Sequence, residues 1–272
     1  MRGVSRGSLA AAKERLAAAL ADGTTAQATS LGDELFGVVG LLDHEPALRR
    51  SLSDPSIDRS ARSGLAASIL DGKVGTQTVD QVTGVAGDRW SEPADLVDAV
   101  EDLAVLAICT AADIDGKLDE VEDELFRFGR IVGADPGLRY ALSNQFVPAA
   151  GRRGIVTDLL DGKVADSTLR LVSQAAAAPR GRSVDASLEE YASLAAGLRQ
   201  RLVAEVHVAA ELTSAQRARL AASLSAAYGH DVHLNLVLDP ELIGGMSVRI
   251  GDELINGSVE SRLAELRRDL AA

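Results

Sequence analysis

Apolar positions recur at helical spacing from the N-terminus to about Gln200 and then change to single alternation. Leu9, Ala12, Leu16 and Leu20 share one face of a helix running from about Ser5 to Ala21. Gly23 to Thr29 is a polar break, and a second helix opens near Ser30 and carries Leu35, Phe36, Val39 and Leu42 as far as His44-Glu45-Pro46. A short turn of helix through Leu48 and Leu52 follows. The next helix spans Asp58 to Asp71, with Gly72 placed to end it in the left-handed conformation. One more covers Thr78 to Gly84, and a long one runs from Glu92 to Ala112.

The pattern then repeats. Asp33-Glu34-Leu35-Phe36 returns as Asp123-Glu124-Leu125-Phe126, and Leu70-Asp71-Gly72-Lys73-Val74 returns as Leu160-Asp161-Gly162-Lys163-Val164. Leu48, Arg49, Leu52 and Ser53 match Leu138, Arg139, Leu142 and Ser143. Each pair is ninety positions apart with no gap, so a helical unit occurs twice. The helix from Glu92 to Ala112 could close the first unit and open the second; an insertion into a single bundle fits the sequence equally well.

Past the second unit, Ala178-Pro179-Arg180-Gly181-Arg182-Ser183 reads as a basic, solvated linker, and a helix from Val184 to about Gln200 follows. Leu202, Ala204, Val206 and Val208 then alternate with Glu205 and His207, the period of a strand with one buried face. Thr213 to Gln216 has the spacing of a capping box before a helix carrying Leu220, Leu224 and Ala227. A strand with Leu234, Leu236 and Leu238 comes next, parallel to the first by the crossover rule. Asp239-Pro240 breaks it, and Gly244-Gly245 frees the backbone before a strand with Met246, Val248 and Ile250 on one face, expected as a hairpin partner. Gly251-Asp252 turns the chain again, and Ser258 is placed to cap a closing helix with Val259, Leu263, Leu266 and Leu270 on one side. The fold class is therefore mainly α: a duplicated N-terminal helical bundle (1–91 and 92–200), then a small α/β domain with a mixed sheet (201–272).

Composition narrows the functional classes. Aromatics are only 3% of 272 residues while apolar residues are 46%, so Ala, Leu and Val fill the interior and helices approach closely. A net charge of -12 argues against nucleic acid, whose phosphates need a basic surface. Cys109 is the only cysteine, which excludes an intrachain disulfide, and its apolar neighbours mark a buried thiol. No apolar run approaches the roughly 18 residues of a spanning helix.

Candidate chemistry resolves into structure. Asp113, Asp115, Gly116 and Asp119 lack calcium-loop spacing, because glycine falls at the fourth loop position and Lys117 replaces a ligand. His230 and His233 fall on opposite faces of a strand and have no further ligands. The Asp-Gly-Lys turns at Asp71, Asp115 and Asp161 lack phosphate-loop spacing, and Trp90 reads as a packing anchor. No catalytic, cofactor or metal residue is assigned.

The C-terminal stretch is similar to the signature of one family. Val232, Leu234, Leu238-Asp239, Leu242, Gly244-Gly245, Met246, Val248-Arg249 and Gly251, continued through Gly257-Ser258, resemble the delta subunit of bacterial F-type ATP synthases, called the oligomycin-sensitivity-conferring protein in mitochondria. In its doubled bundle the chain looks like the enlarged actinobacterial form. The resemblance implies a non-catalytic stator subunit, without cofactor or membrane insertion, attached at the cytoplasmic face of the cell membrane through the complex. Its bundle would grip an N-terminal helix of an alpha subunit, and its C-terminal domain would hold the peripheral-stalk b subunits. The groove implied for the alpha helix lies between the first and fifth helices of the second unit, at Leu96, Val100, Leu103 and Ala107 facing Leu169, Val172 and Ala176, each of which also reads, and more readily, as internal core of the bundle. The first unit would then brace the stalk. A helical-repeat adaptor of the cytosol is the rival reading.

Overall fold

The computed structural model describes residues 3–144, 146–199, 202–209, 212–228, 232–239, 242, 245–250 and 253–256. It divides into two compact units, Met1–Leu198 and Arg199–Ala272.

The first unit is all helix. Its elements are α1 (Gly3–Leu20), α2 (Thr25–His44), α3 (Pro46–Ser53), α4 (Arg59–Leu70), α5 (Thr76–Gly87), α6 (Pro93–Ile114), α7 (Leu118–Ala134), α8 (Pro136–Ser143), α9 (Ala149–Leu160), α10 (Asp166–Ala177) and α11 (Val184–Arg199). Helices α3, α4 and α5 recur as α8, α9 and α10 with both ends shifted by ninety positions. Helix α6 stands ninety positions after α1 and packs against α1, α2, α3 and α5 as well as against α7 and α10. A single apolar core runs through the unit, from Ala12 and Leu16 to Leu188 and Ala195.

The repeat extends to how helices end. Neither α5 nor α10 has a side-chain cap of its own, since Gly75 and Ala165 stand at the N-cap positions. Glu34 of α2 supplies the missing acceptor for α5, taking the Gly75 N–H at 2.9 Å and the Thr78 hydroxyl. Glu124 of α7 does the same for α10, accepting from the Ala165 N–H at 3.0 Å and from Thr168. At the opposite ends, buried Arg62 donates to the Ala86, Gly87 and Ile57 carbonyls, and buried Arg152 to Ala176, Ala177 and Val147. A carboxylate at the N-terminus and a guanidinium on the last carbonyls both suit the helix dipole.

Helix α2 begins earlier than its apolar face predicts. Thr24 and Gln27 form a capping box, the Thr24 N–H donating to Gln27 Oε1 at 2.9 Å and the Gln27 N–H to Thr24 Oγ1 at 3.3 Å. The polar stretch read as a break is therefore the helix's first turn. Gly72 and Gly162 close their helices with φ of 69° and 67°, the left-handed conformation that suits glycine. Trp90 is buried and donates its indole N–H to the Val85 carbonyl at 2.8 Å.

The second unit holds β1 (Leu202–Val208), α12 (Ser214–Tyr228), β2 (Val232–Leu238), β3 (Met246–Ile250) and β4 (Glu253–Asn256) in a sheet of order β2-β1-β3-β4. Strands β1 and β2 are parallel, and the Thr213–Gln216 capping box opens α12. The expected hairpin between β2 and β3 is not formed: β3 runs antiparallel to β1, with Val206 opposite Val248. The Asp239 N–H donates to the Val208 carbonyl at 3.0 Å, which fixes the end of β2 against the end of β1. Val206, Val208, Leu224, Val232, Leu234 and Val248 form the core of this unit. The closing helix expected from Ser258 lies outside the described residues.

Candidate partner-binding surfaces

Helix α6 is buried on nearly every side, and this decides what a partner can reach. Leu96, Val100, Leu103, Ala107, Val172 and Ala176 are each no more than 1% exposed and sit inside the bundle. Leu169 is half-buried and lies at the edge of an open groove of about 590 Å³ between α2, α9 and α10, with Phe36, Gly37, Arg153 and Arg170 also in its walls.

Helix α2 covers α6. A Cβ at Gly32 would come within 2.6 Å of Ile108 and 3.1 Å of the Ala104 carbonyl, so glycine is what permits the approach. The Asp33–Arg170 ion pair joins α2 to α10 alongside. Val97, Val100, Ala104 and Ile108 of α6 are buried, whereas Gly7, Ala10, Glu14 and Ala18, ninety positions earlier on α1, are exposed. The same helix face is thus filled in one copy and open in the other.

The loop read as a solvated linker is instead a clasp. Glu101, 2% exposed in the middle of α6, accepts from Arg180, from Arg182 and from the Tyr191 hydroxyl at 2.7 Å. Arg180 also reaches Asp43 of α2 at 3.0 Å and Asp98 at 2.8 Å, and it does so from a left-handed backbone with φ of 49°. Burial pulls the Arg180 guanidinium down, and Glu101, Asp43 and Asp98 together more than reverse that. Burial, then Glu101, pushes the Tyr191 phenol well up. The signal missed in the sequence was Glu101, a carboxylate that falls in line with Val97, Ala104 and Ile108 on the buried face of α6 and therefore requires a buried cation.

Two further groups are shifted by burial. Cys109 is fully buried, and its thiol is pushed up to about 12. Burial raises the Asp102 carboxyl against the pull of Lys13 at 3.2 Å. Neither lies in a cleft with a nucleophile or base, and among the described residues no three His, Cys, Asp or Glu side chains converge on a metal position.

In the second unit, Asp239 terminates β2 and the Leu242 N–H returns to its carbonyl at 3.2 Å. Gly245 has a φ of 85°, Val248 is buried and Arg249 is exposed. Leu238 lies in β2. Gly244, Gly251 and Gly257 fall outside the described residues, as does His230.

The described residues thus build an all-helical unit and a small mixed sheet, with carboxylates and guanidiniums placed at helix ends and in the Glu101 clasp. Comparison with known proteins gives the family. Residues 105–270 match the family described as the ATP synthase delta (OSCP) subunit. The ATP synthase subunit delta of Streptomyces avermitilis is 48% identical over 99% of this chain and 98% of its own length. That of Thermobifida fusca is 46% identical over the whole of both chains. A chain in the cryo-EM structure of the Toxoplasma gondii mitochondrial ATP synthase hexamer covers 62% of this one and 95% of its own length. Its identity is 16% and its TM-score 0.27, too low to argue from. The chain belongs to the ATP synthase delta (OSCP) subunit family, whose members are structural subunits of the complex and not its catalytic ones. The bacterial relatives match along the whole chain, so they extend over the first helical copy, which lies ahead of the matched family region. Such a subunit is a peripheral part of a membrane-bound complex, and among the described residues no helix is long and apolar enough to cross a membrane.

Proposed function

We propose that the chain is a stator subunit that ties the catalytic head of an F-type ATP synthase to its peripheral stalk, so that rotation is coupled to ATP synthesis. In this reading the helical part holds an N-terminal helix of an alpha subunit. The part from about 201 onward holds the b subunits of the stalk, at the cytoplasmic face of the membrane. The helical part is read as two copies, 1–91 and 92–200, with α6 serving both. The observation that carries the proposal is the full-length likeness to bacterial delta subunits.

Which helix faces are free supports one position for the head helix. Apart from Leu169, the residues first implied for the groove are core, and α2 already lies on α6 beside α10. The open counterpart on α1, with Gly7, Ala10, Glu14 and Ala18, supports docking on the first copy. Small side chains there let a helix approach closely, and an amphipathic helix anchors through positions spaced three and four apart.

Membranes stripped of this subunit should regain ATP-driven proton pumping when the purified chain is added back. Ala10→Trp with Ala18→Trp should weaken binding of a peptide from the alpha-subunit N-terminus about tenfold or more, by blocking close approach. Coupled synthase assembled without the chain would overturn the stator reading; peptide binding unaffected by the two tryptophans would overturn only the placement.

A further inference from the structure

The molecule contains its own example of what covers the outer stripe of the second helix in a copy. In the first copy that stripe is Asp33, Phe36, Gly37 and Gly40 of α2; it lines the open groove shared with α9 and α10 of the second copy, where Phe36 is only 7% exposed although Asp33 and Gly37 stay exposed. Ninety positions on, the same stripe of α7 is Asp123, Phe126, Arg127 and Arg130. Among the described residues no third pair of helices stands ninety positions on to meet it, and Phe126 stands 54% exposed. Arg130 lies over its ring at 5.9 Å from the centroid, and Arg127 pairs with Asp123 on the same helix while remaining 69% exposed.

From this we propose that the α7 stripe is a docking surface for a helical face of another subunit, one with an apolar notch for Phe126 flanked by carboxylates. The inference rests on the stator reading. The notch follows from the internal copy, because an aromatic at this position is buried wherever a helix pair is available to cover it. The carboxylates follow from charge. Gly37 and Gly40, which leave the α2 stripe bare, are replaced by two arginines whose guanidiniums suit forked pairing with acids.

A second copy of this chain is the wrong occupant. Its free equivalent of α10 is α5, which carries Asp80 where α10 has Arg170. The pair that joins α2 to α10, Asp33 with Arg170, would become Asp123 against Asp80, two like charges in contact. The change from Arg170 to Asp80 therefore disfavours a second copy of this chain on the α7 stripe and leaves it to a different protein.

The test uses the assembled synthase with p-benzoylphenylalanine at position 126. Ultraviolet light should join it to another subunit, within a helical stretch rich in Asp or Glu. In parallel, Phe126→Asp with Arg127→Glu and Arg130→Glu should bind stripped membranes about tenfold more weakly than the native chain, a loss typical of an interface anchor. All three side chains are exposed, and circular dichroism checks that the fold is kept. Crosslinks confined to this chain or to a second copy, no crosslink at all, or variant binding within about twofold of native would each overturn the proposal. Failure of the native chain to rebind would instead overturn the stator reading.

Discussion

Arg62 and Arg152 reach equivalent carbonyls ninety positions apart, while Trp90 and Arg180, also ninety apart, do unlike things. The first pair shows what the two copies share. Each arginine closes the C-terminal end of a helix whose other end is held by a glutamate from its neighbour, so both copies fix their fifth helix from outside. The second pair shows where they part. After α5 the chain plugs the junction with an indole; after α10 it uses a guanidinium that needs three carboxylates around it. The residue facing each junction explains the choice. The first copy has Ala11 where the second has Glu101, and a buried carboxylate without a cation would be costly. Internal framework has been kept between the copies, and their edges have diverged.

The sharpest way to test the shared part is to remove it from each copy in turn. Arg62→Ala and Arg152→Ala should each cost about 3 to 5 kcal/mol in urea unfolding, because several buried carbonyls lose their donor at once. Markedly unequal losses would mean that the two frameworks are not equivalent. Glu101→Gln should cost about 3 kcal/mol by leaving two arginines under-compensated, and hydrogen exchange should rise around Asp43 and residues 178–183. Trp90→Phe, which keeps the plug and loses one hydrogen bond, should cost only about 1 kcal/mol. Equal effects at the two junctions would erase the distinction drawn between them. Gly32→Val tests the α2–α6 seat and should cost about 1 to 3 kcal/mol through overpacking.

The smallest effect concerns pH. Asp102 has its carboxyl raised above the ordinary 3.8, so the folded state holds the proton more tightly than the unfolded chain does. Its contribution is therefore most favourable below 3.8 and is lost as pH rises through the raised value. Asp102→Asn should remove that decline, and the stability difference from the native chain should shift in favour of Asn across the same window. A difference independent of pH would show that burial does not perturb this group.

Much of the architecture was legible because it rests on local rules. The ninety-residue period came from three short matches in register, and it extends to cap residues that the matches did not include, such as Thr78 with Thr168. The Thr213–Gln216 box and the left-handed Gly72 were readable for the same reason, since caps and turns use particular residues at fixed offsets. The Thr24–Gln27 box was equally readable in principle, but its polar residues were taken for a loop. The order of the sheet was not readable: an Asp-Pro break says that the strand ends without saying which neighbour the next strand joins. The surfaces were harder still. A periodic apolar face marks what is buried but not whether it meets its own bundle, the other copy or a partner, and so Leu96, Val100 and Leu103 read as core or as groove until the structure buried them.

By itself the sequence determined that the chain is a doubled helical scaffold with a small mixed sheet, and its signature pointed to the delta family. Spacing, caps and fixed glycines are properties of neighbouring residues, and they survive without knowledge of the rest. Only the tertiary structure decided that α2 lies on α6, that Arg180 is a clasp and that the α1 and α7 stripes are left open. Each of those depends on groups far apart in the chain meeting in one place, where burial sets the cost of every unpaired charge and uncovered ring.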